Sequence, residues 1–314
     1  MIPQLIDSAI DKRLGLQLDP ATDAVRIFHG HGDGDPRWDA ECFAGTLVLH
    51  AYSDLEGDLG AICETFRDRI PLQGILYKER WKKDQSTGST QGQVLWGTVP
   101  DDPFLVSELG RRYWVEPRRG FNSGLFLDAR PVRSRIADSD WTGKSVLNLF
   151  AYTGSLGICA LLGGASSVLH VDSQPALEAR IERNYAANSI PFDSRMFVPS
   201  DVYRFLKKSR SRLKQWDVII LDPPPVVGPK GKKKRGGQDL ERLLPLVRPV
   251  LAASGLLILL LNRRERTTEA LLHLVQDTWQ DVSIQPLWME TSGPEFPELK
   301  LQNRLRAFGF VPRS

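Results

Sequence analysis

Residues 145–157 read SVLNLFAYTGSLG, an apolar run that passes through Tyr152-Thr153-Gly154 directly into a helix-forming stretch. Ser145–Phe150 is apolar enough for a strand buried on both faces, and Ser155–Leu162 continues as a helix. Downstream the same unit recurs. Ser167–Val171 reads as a strand and Gln174–Asn188 as a helix; Arg195–Val198 is again a strand and Val202–Leu213 a helix. Asp217–Leu221 is the next strand, followed by a helix over Leu240–Ala252, a strand over Leu256–Leu261 and a helix over Glu265–Trp279. Ser283–Met289 and Leu301–Phe310 are late strands with no helix between them, so one of them is expected to run antiparallel. Strands alternating with helices at this spacing specify an α/β fold with a doubly wound, Rossmann-like parallel sheet and helices on both faces.

Upstream the pattern is different. Gly30, Gly32, Gly34 and Pro36 punctuate a loop, and Gly45–Tyr52 alternates as a strand does. Leu59–Ile70 has helical spacing closed by Pro71; Gly74–Tyr77, Val94–Thr98 and Tyr113–Val115 are short strands around a polar loop at Lys82–Gln93. The division expected is a small N-terminal α+β domain over residues 1–120, suited to RNA or substrate recognition, and a catalytic α/β domain over 121–314. A length of 314 residues fits two domains of roughly 150.

Composition excludes several classes. Lys+Arg 41 against Asp+Glu 38 gives a net charge of only +3, so charge identifies a partner only where it clusters. Cys42, Cys63 and Cys159 are far apart, which excludes a disulfide framework and a four-cysteine zinc site. The histidines His29, His31, His50, His170 and His273 have no metal-ligand spacing, and no metal is expected. No window holds 18 consecutive apolar residues, and the first twenty residues include Asp7, Asp11, Lys12 and Arg13. Neither a membrane span nor a signal peptide is expected, and the expected compartment is the reducing cytoplasm.

In an open α/β sheet, ligands sit beyond the carboxyl ends of the strands. There the sequence places Gly154 after the first strand and Asp172 after the second, where a carboxylate can accept from both hydroxyls of a ribose. Ser200-Asp201-Val202 follows the third, with a carboxylate and an apolar neighbour for an adenine; Asp172 and Asp201 are equally readable as helix caps. Asp222-Pro223-Pro224-Pro225 follows the fourth as a stiff segment, poor in donors and with carbonyls available to accept. Four such features at consecutive strand ends point to a nucleoside-bearing cofactor. The turn has Gly154 and Gly157 but lacks the G-x-G-x-x-G spacing that a nicotinamide dinucleotide uses, whereas S-adenosylmethionine has no phosphate and tolerates that departure.

On these residues the chain resembles class I S-adenosylmethionine-dependent methyltransferases. It is most similar to the 23S rRNA cytosine-5 methyltransferase family, and the N-terminal PUA domain common there is not expected ahead of the small module. The likeness is carried by Gly124–Arg130 (GLFLDAR), Val146–Gly154 (VLNLFAYTG), Asp172-Ser173, Ser200-Asp201-Val202 and Asp222-Pro223-Pro224, within residues 40–262. It implies S-adenosylmethionine as cofactor and places Asp128 and Arg130 at its methionine end. Asn148, Phe150, Tyr152, Thr153, Gly154 and Ser173 would line the site, Asp172 hold the ribose, and Asp201 and Val202 the adenine. Asp222, Pro223 and Pro224 would form the transfer site. Two departures bear on the acceptor. The family's nucleophilic cysteine at the end of the fifth strand is missing from Leu261-Asn262-Arg263-Arg264, and Pro225-Val226-Val227 stands where an aromatic is usual.

Lys230, Lys232, Lys233, Lys234 and Arg235 form a basic run just past the transfer site, where a phosphate backbone would pass. The Arg204–Lys214 run reads equally well as a solvated helix face, and Arg111, Arg112, Arg118 and Arg119 can extend the basic patch. The expected function is S-adenosylmethionine-dependent methylation of RNA, ribosomal RNA foremost. A degenerate RNA-binding module that keeps the cofactor pocket and a nucleotide-dependent oxidoreductase are the rival readings.

Overall fold

The alternation after residue 140 is realised as a seven-stranded mixed sheet in a computed structural model that describes residues 2–16, 19–81, 92–224, 240–262, 266–279, 283–298 and 300–313. The chain forms two units, one of residues 1–130 with 293–299 and one of residues 131–292 with 300–314.

The first unit carries α1 (Ile2–Leu14), β1 (Ala24–His29), the short α2 (Gly30–Asp33), β2 (Trp38–Phe43), β3 (Thr46–Ala51), α3 (Leu59–Arg69), β4 (Gly74–Glu79), β5 (Gln93–Gly97) and the hairpin β6 (Phe104–Glu108) with β7 (Arg111–Val115). Strands β1 to β5 lie in sequence order, with β3 and β4 parallel through α3 and the other pairs antiparallel. One sheet face buries Leu47, Leu49 and Ala51 against Ile6, Ala9 and Ile10 of α1 and Ile62 and Phe66 of α3. The opposite face is apolar at one end, where Val48 and Leu76 meet Val106, Tyr113 and Val115, and carries Arg26, Asp39, Glu41, His50 and Lys78 toward the other.

The sequence reading missed α1, β1, β2 and β6. Strands β1 and β2 break the apolar alternation with Arg26, Asp39 and Glu41, where the half-buried Arg26 pairs with the two buried carboxylates, 2.7 Å from Asp39 and 2.8 Å from Glu41. The expected Gly30–Pro36 loop contains α2, because the buried Asp33 carboxylate accepts from His29 N at 2.8 Å and from Arg13 Nη1 at 2.8 Å.

The second unit contains α4 (Arg130–Ala137, less its first residue), β8 (Ser145–Leu149), α5 (Ser155–Leu162), β9 (Ser167–Asp172), α6 (Leu177–Ala187), β10 (Phe197–Pro199), α7 (Val202–Ser211) and β11 (Trp216–Leu221). It continues with α8 (Leu240–Val247), β12 (Leu251–Leu261), α9 (Thr268–Thr278), β13 (Ser283–Thr291) and β14 (Arg306–Arg313). The strand order is β10-β9-β8-β11-β12-β14-β13, parallel from β10 through β12, with β14 antiparallel to both its neighbours. Alternate residues face opposite sides. Leu147, Leu149, Ile219, Leu221, Leu257 and Leu259 pack with α7, α8 and α9, while α5 and α6 cover the other face through Ile158, Leu177, Ile181 and Tyr185. Each such fully buried aliphatic contributes about 1.5–3 kcal/mol.

Two boundaries differ from the sequence reading. The helix expected to run to Ala252 ends at Val247, because Pro249 lies in a 3-10 turn at Arg248–Val250, and β12 starts at Leu251. The last strand begins at Arg306; Leu301–Asn303 is a 3-10 turn. No helix among the described residues is long and apolar enough to cross a membrane.

Candidate cofactor and transfer sites

The chain leaves β8 to build β9 and then β10 on one side, and returns to place β11 on the other side of β8. The carboxyl ends of β8 and β11 are therefore the point where strand order reverses, and the crevice there is the ligand position of an open α/β sheet. Asp222 N reaches back to Leu149 O at 3.5 Å, so the segment after β11 lies beside the turn after β8.

That turn is conformationally unusual. Phe150 (φ 59°), Tyr152 (φ 48°) and Gly154 (φ 82°) are all left-handed, alternating with Ala151 and Thr153. A left-handed backbone costs a side-chain-bearing residue roughly 1–2 kcal/mol, so the turn persists only where its surroundings fix it. Ala151 N donates to Val171 O at 3.1 Å, Tyr152 N to Asp172 Oδ2 at 3.1 Å, and Asn184 Nδ2 to Thr153 O at 2.9 Å. Gly154 is required twice over. Its φ is positive, and a Cβ there would lie 3.2 Å from Ile181 and 3.3 Å from His170 Cε1. Gly157 has a packing role instead, since a Cβ would lie 2.5 Å from His170 Cε1 and would hold α5 off β9.

Asp172 ends β9 half-buried, and its two oxygens accept from Tyr152 N and, at 3.2 Å, from Gln174 N. It does not cap α6, whose N-cap is Ala176. A carboxylate has about four acceptor positions, so these two bonds brace the turn and leave capacity for ligand hydroxyls. Asp201 is exposed and caps α7, with its carboxylate accepting from Arg204 N at 2.9 Å. Asp222, Phe150 and Tyr152 are half-buried, and Ser173 and Pro224 are exposed.

Several other expected site residues are buried in this structure. Asn148 is 1% exposed, and its Nδ2 lies 3.1 Å from His170 Nδ1 within the sheet. Thr153 and Val202 are buried, Val202 in the core with Leu206, and Pro223 is buried. In the first unit Arg130 is buried; its Nε donates to Glu108 at 3.2 Å, its Nη1 to Glu295 at 2.6 Å, and its Nη2 to Ala24 O. Asp128, in the 3-10 turn Leu127–Ala129, is half-buried. The expected RNA contacts Lys230, Lys232, Lys233, Lys234 and Arg235 lie outside the described residues, as do Pro225-Val226-Val227 and Arg263-Arg264.

The sequence reading missed what lies beneath the turn. His170 Nε2 lies 2.7 Å from the Tyr185 hydroxyl, completing a buried chain Asn148–His170–Tyr185. Burial pushes the His170 imidazole down to about 3, so it is neutral at ordinary pH. The available signal was a histidine inside the otherwise apolar strand SVLHVD. None of the three thiols is in the segments that follow β8, β9, β10 and β11. Burial raises Cys42 to about 11 and also raises Cys63, both in the first unit, and Cys159 is fully buried in α5.

The donor set discriminates between cofactors. The strand ends after β8, β9, β10 and β11 carry three carboxylates, Asp172, Asp201 and Asp222, and their segments 150–154, 172–174, 200–202 and 222–224 contain no Lys or Arg. Such an edge suits a phosphate-free, cationic nucleoside.

Comparison with known proteins agrees with that chemistry. The family model described as S-adenosylmethionine-dependent methyltransferase matches residues 75–311. A ribosomal RNA large subunit methyltransferase I from Enterobacter sp. (strain 638) is 32% identical over 268 residues, covering 82% of this chain and 66% of the relative. A ribosomal RNA large subunit methyltransferase from Deinococcus radiodurans is 29% identical over 241 residues, covering 76% of this chain and 59% of the relative. The chain thus spans less than two thirds of the length of these curated relatives. Among solved structures, SMU.776 complexed with SAH superimposes with a TM-score of 0.88 at 24% identity, covering 98% of this chain and 80% of that chain, which establishes the common fold.

Proposed function

Since the chain belongs to the S-adenosylmethionine-dependent methyltransferase family, we propose that it transfers the methyl group of this cofactor to a nitrogen of an RNA nucleotide, ribosomal RNA foremost. The observation that carries this reading is the order of groups along the sheet edge. From β10 to β11 the edge presents Asp201, Asp172, the Phe150–Gly154 turn and Asp222 in succession. Neighbouring strands are about 4.8 Å apart, so this row spans roughly 14 Å, the reach of an extended nucleoside joined to an amino acid. Asp201 would receive the adenine amine and Asp172 the ribose hydroxyls. Phe150, Tyr152 and Gly154 would enclose the methionine portion.

When bound, S-adenosylmethionine supplies an electrophilic methyl on a sulfonium. The protein's part is then positioning and exclusion of water. Asp222 would accept a hydrogen bond from an amine or ring N–H and take up the proton that the nitrogen gives up on methylation, while the prolines behind it keep the segment rigid. Nitrogen is favoured over cytosine C5 because C5 needs a thiolate at C6, and no described cysteine stands at these strand ends. The small N-terminal domain would recognise the RNA, and the Lys230–Arg235 run would contact its phosphates. A cytoplasmic location, where ribosomal RNA is assembled and modified, belongs to the same reading. It is supported if calorimetry shows binding of S-adenosylmethionine but not NAD, and if label passes from the methyl group to ribosomal RNA. Cofactor binding without transfer to any RNA would favour the degenerate RNA-binding rival.

A further inference from the structure

Phe121, in the first unit, is 50% exposed although one face of its ring is covered: the Arg80 guanidinium lies 4.0 Å from the ring centroid. With one face of the ring covered, that exposure is left to its edge and its second face. The guanidinium is itself fixed from below. Arg80 Nε donates to His50 Nδ1 at 3.1 Å, His50 Nε2 lies 3.0 Å from Glu41 Oε2, and Glu41 Oε1 lies 2.8 Å from Arg26 Nη2. Because Arg80 can only donate, Nδ1 is the acceptor and the His50 proton sits on Nε2, toward Glu41. The buried Arg80 Nη1 has no hydrogen-bond acceptor among the described residues, as expected of a guanidinium directed at a π face.

Two arginines flank the ring, each beside an aspartate. Arg118 and Arg119 precede Phe121 and, with Gly92 and Asp101, line a cleft of about 220 Å³. Arg118 pairs with Asp101 at 2.8 Å, while Arg119 is 64% exposed and reaches Asp102 only at 3.9 Å. A second half-exposed aromatic, Tyr52 (48%), has its hydroxyl within electrostatic reach of Arg80 and donates it to Asp39 at 2.7 Å.

We propose that Phe121, seated on Arg80, is a stacking platform for one unpaired base of the RNA substrate, with Arg119 and Arg118 receiving the phosphates on either side. A cation under one face and an open second face is an arrangement that binds a planar base without reading its identity. A paired base cannot present its face, so the occupant is single-stranded. This inference rests on the RNA reading above, and its test separates the two. A short fluorescein-labelled single-stranded RNA of mixed sequence is titrated by anisotropy into the full chain and into F121A, F121L and F121W, with calorimetry of S-adenosylhomocysteine alongside. The alanine and leucine variants should bind RNA about 5- to 150-fold more weakly, and the tryptophan variant should match the wild type. Cofactor affinity should not change in any of them. R119A should lower the slope of log affinity against log salt by about 0.7. F121A or F121L binding RNA as the wild type does would overturn the platform while leaving the RNA reading intact. A wild type that binds cofactor but no RNA would remove the RNA reading and the platform with it.

Discussion

Replacing Asp172 by Asn tests the cofactor site at its most constrained group. The Asp172 carboxylate accepts from Tyr152 N at 3.1 Å and Gln174 N at 3.2 Å, and it holds Tyr152 at φ 48°. Asparagine has one acceptor oxygen and turns an NH2 toward whatever the second oxygen served. At least one charge-assisted bond is lost, worth about 1.5–3 kcal/mol. If the loss falls on the backbone brace, the apo protein is destabilised by that amount. If it falls on the ribose hydroxyls, S-adenosylhomocysteine binds roughly 10- to 150-fold more weakly. Urea denaturation of the apo protein measures the first and calorimetry the second, while D172A, which lacks both acceptors, should lose on both counts. A D172N variant with wild-type affinity and a lowered denaturation midpoint would make Asp172 a brace only and refute its assignment to the ribose.

Gly154→Ala should lower stability by about 1–2 kcal/mol from the left-handed backbone alone, and further through the 3.2 Å approach to Ile181; thermal melting checks it. His170 stays neutral because burial holds it at about 3 against 6.5 in the unfolded chain, so its favourable contribution is complete above pH 6.5 and is lost as pH falls toward 3. The wild type should therefore lose up to about 1.4 kcal/mol per pH unit below 6.5 relative to His170→Gln, as read from urea midpoints at a series of pH values. A variant carrying Ser at Cys42, Cys63 and Cys159 should keep most of its transferase activity, apart from any loss of stability. RNA containing 5-fluorocytosine should not become covalently trapped on the wild type; trapping would show that a thiol participates.

The second unit was largely legible because its strands are buried on both faces and its helices begin where the strands end. Ser155–Leu162 matches its expected bounds, and Asp172 and Asp222 fall at strand ends as their spacing implied. The first unit was less legible for a physical reason. Arg26, Asp39 and Glu41 interrupt the alternation of β1 and β2, and only the fold shows that these charges satisfy one another. Burial pushes the Glu41 carboxyl up, but the Arg26 charge and the His50 hydrogen bond overcome it and hold it at about 2. Within the site, sequence order identified the strand ends but could not separate residues that face the crevice from those beneath it. Asn148 belongs to the motif yet faces His170, and Arg130 belongs to the motif yet is held by Glu108 and Glu295. The left-handed Phe150 and Tyr152 had no sequence signature, since neither is a glycine.

The transfer proposed for this protein is of a methyl group to an RNA nitrogen held at Asp222. Its most direct test incubates the wild type and D222A with ribosomal RNA and S-adenosylmethionine carrying a deuterated methyl, then digests the RNA and identifies the labelled nucleoside by mass spectrometry. The wild type should yield one nucleoside with the label on nitrogen, and D222A should yield none while binding S-adenosylhomocysteine as tightly as the wild type. Label on cytosine C5, or undiminished transfer by D222A, would contradict it.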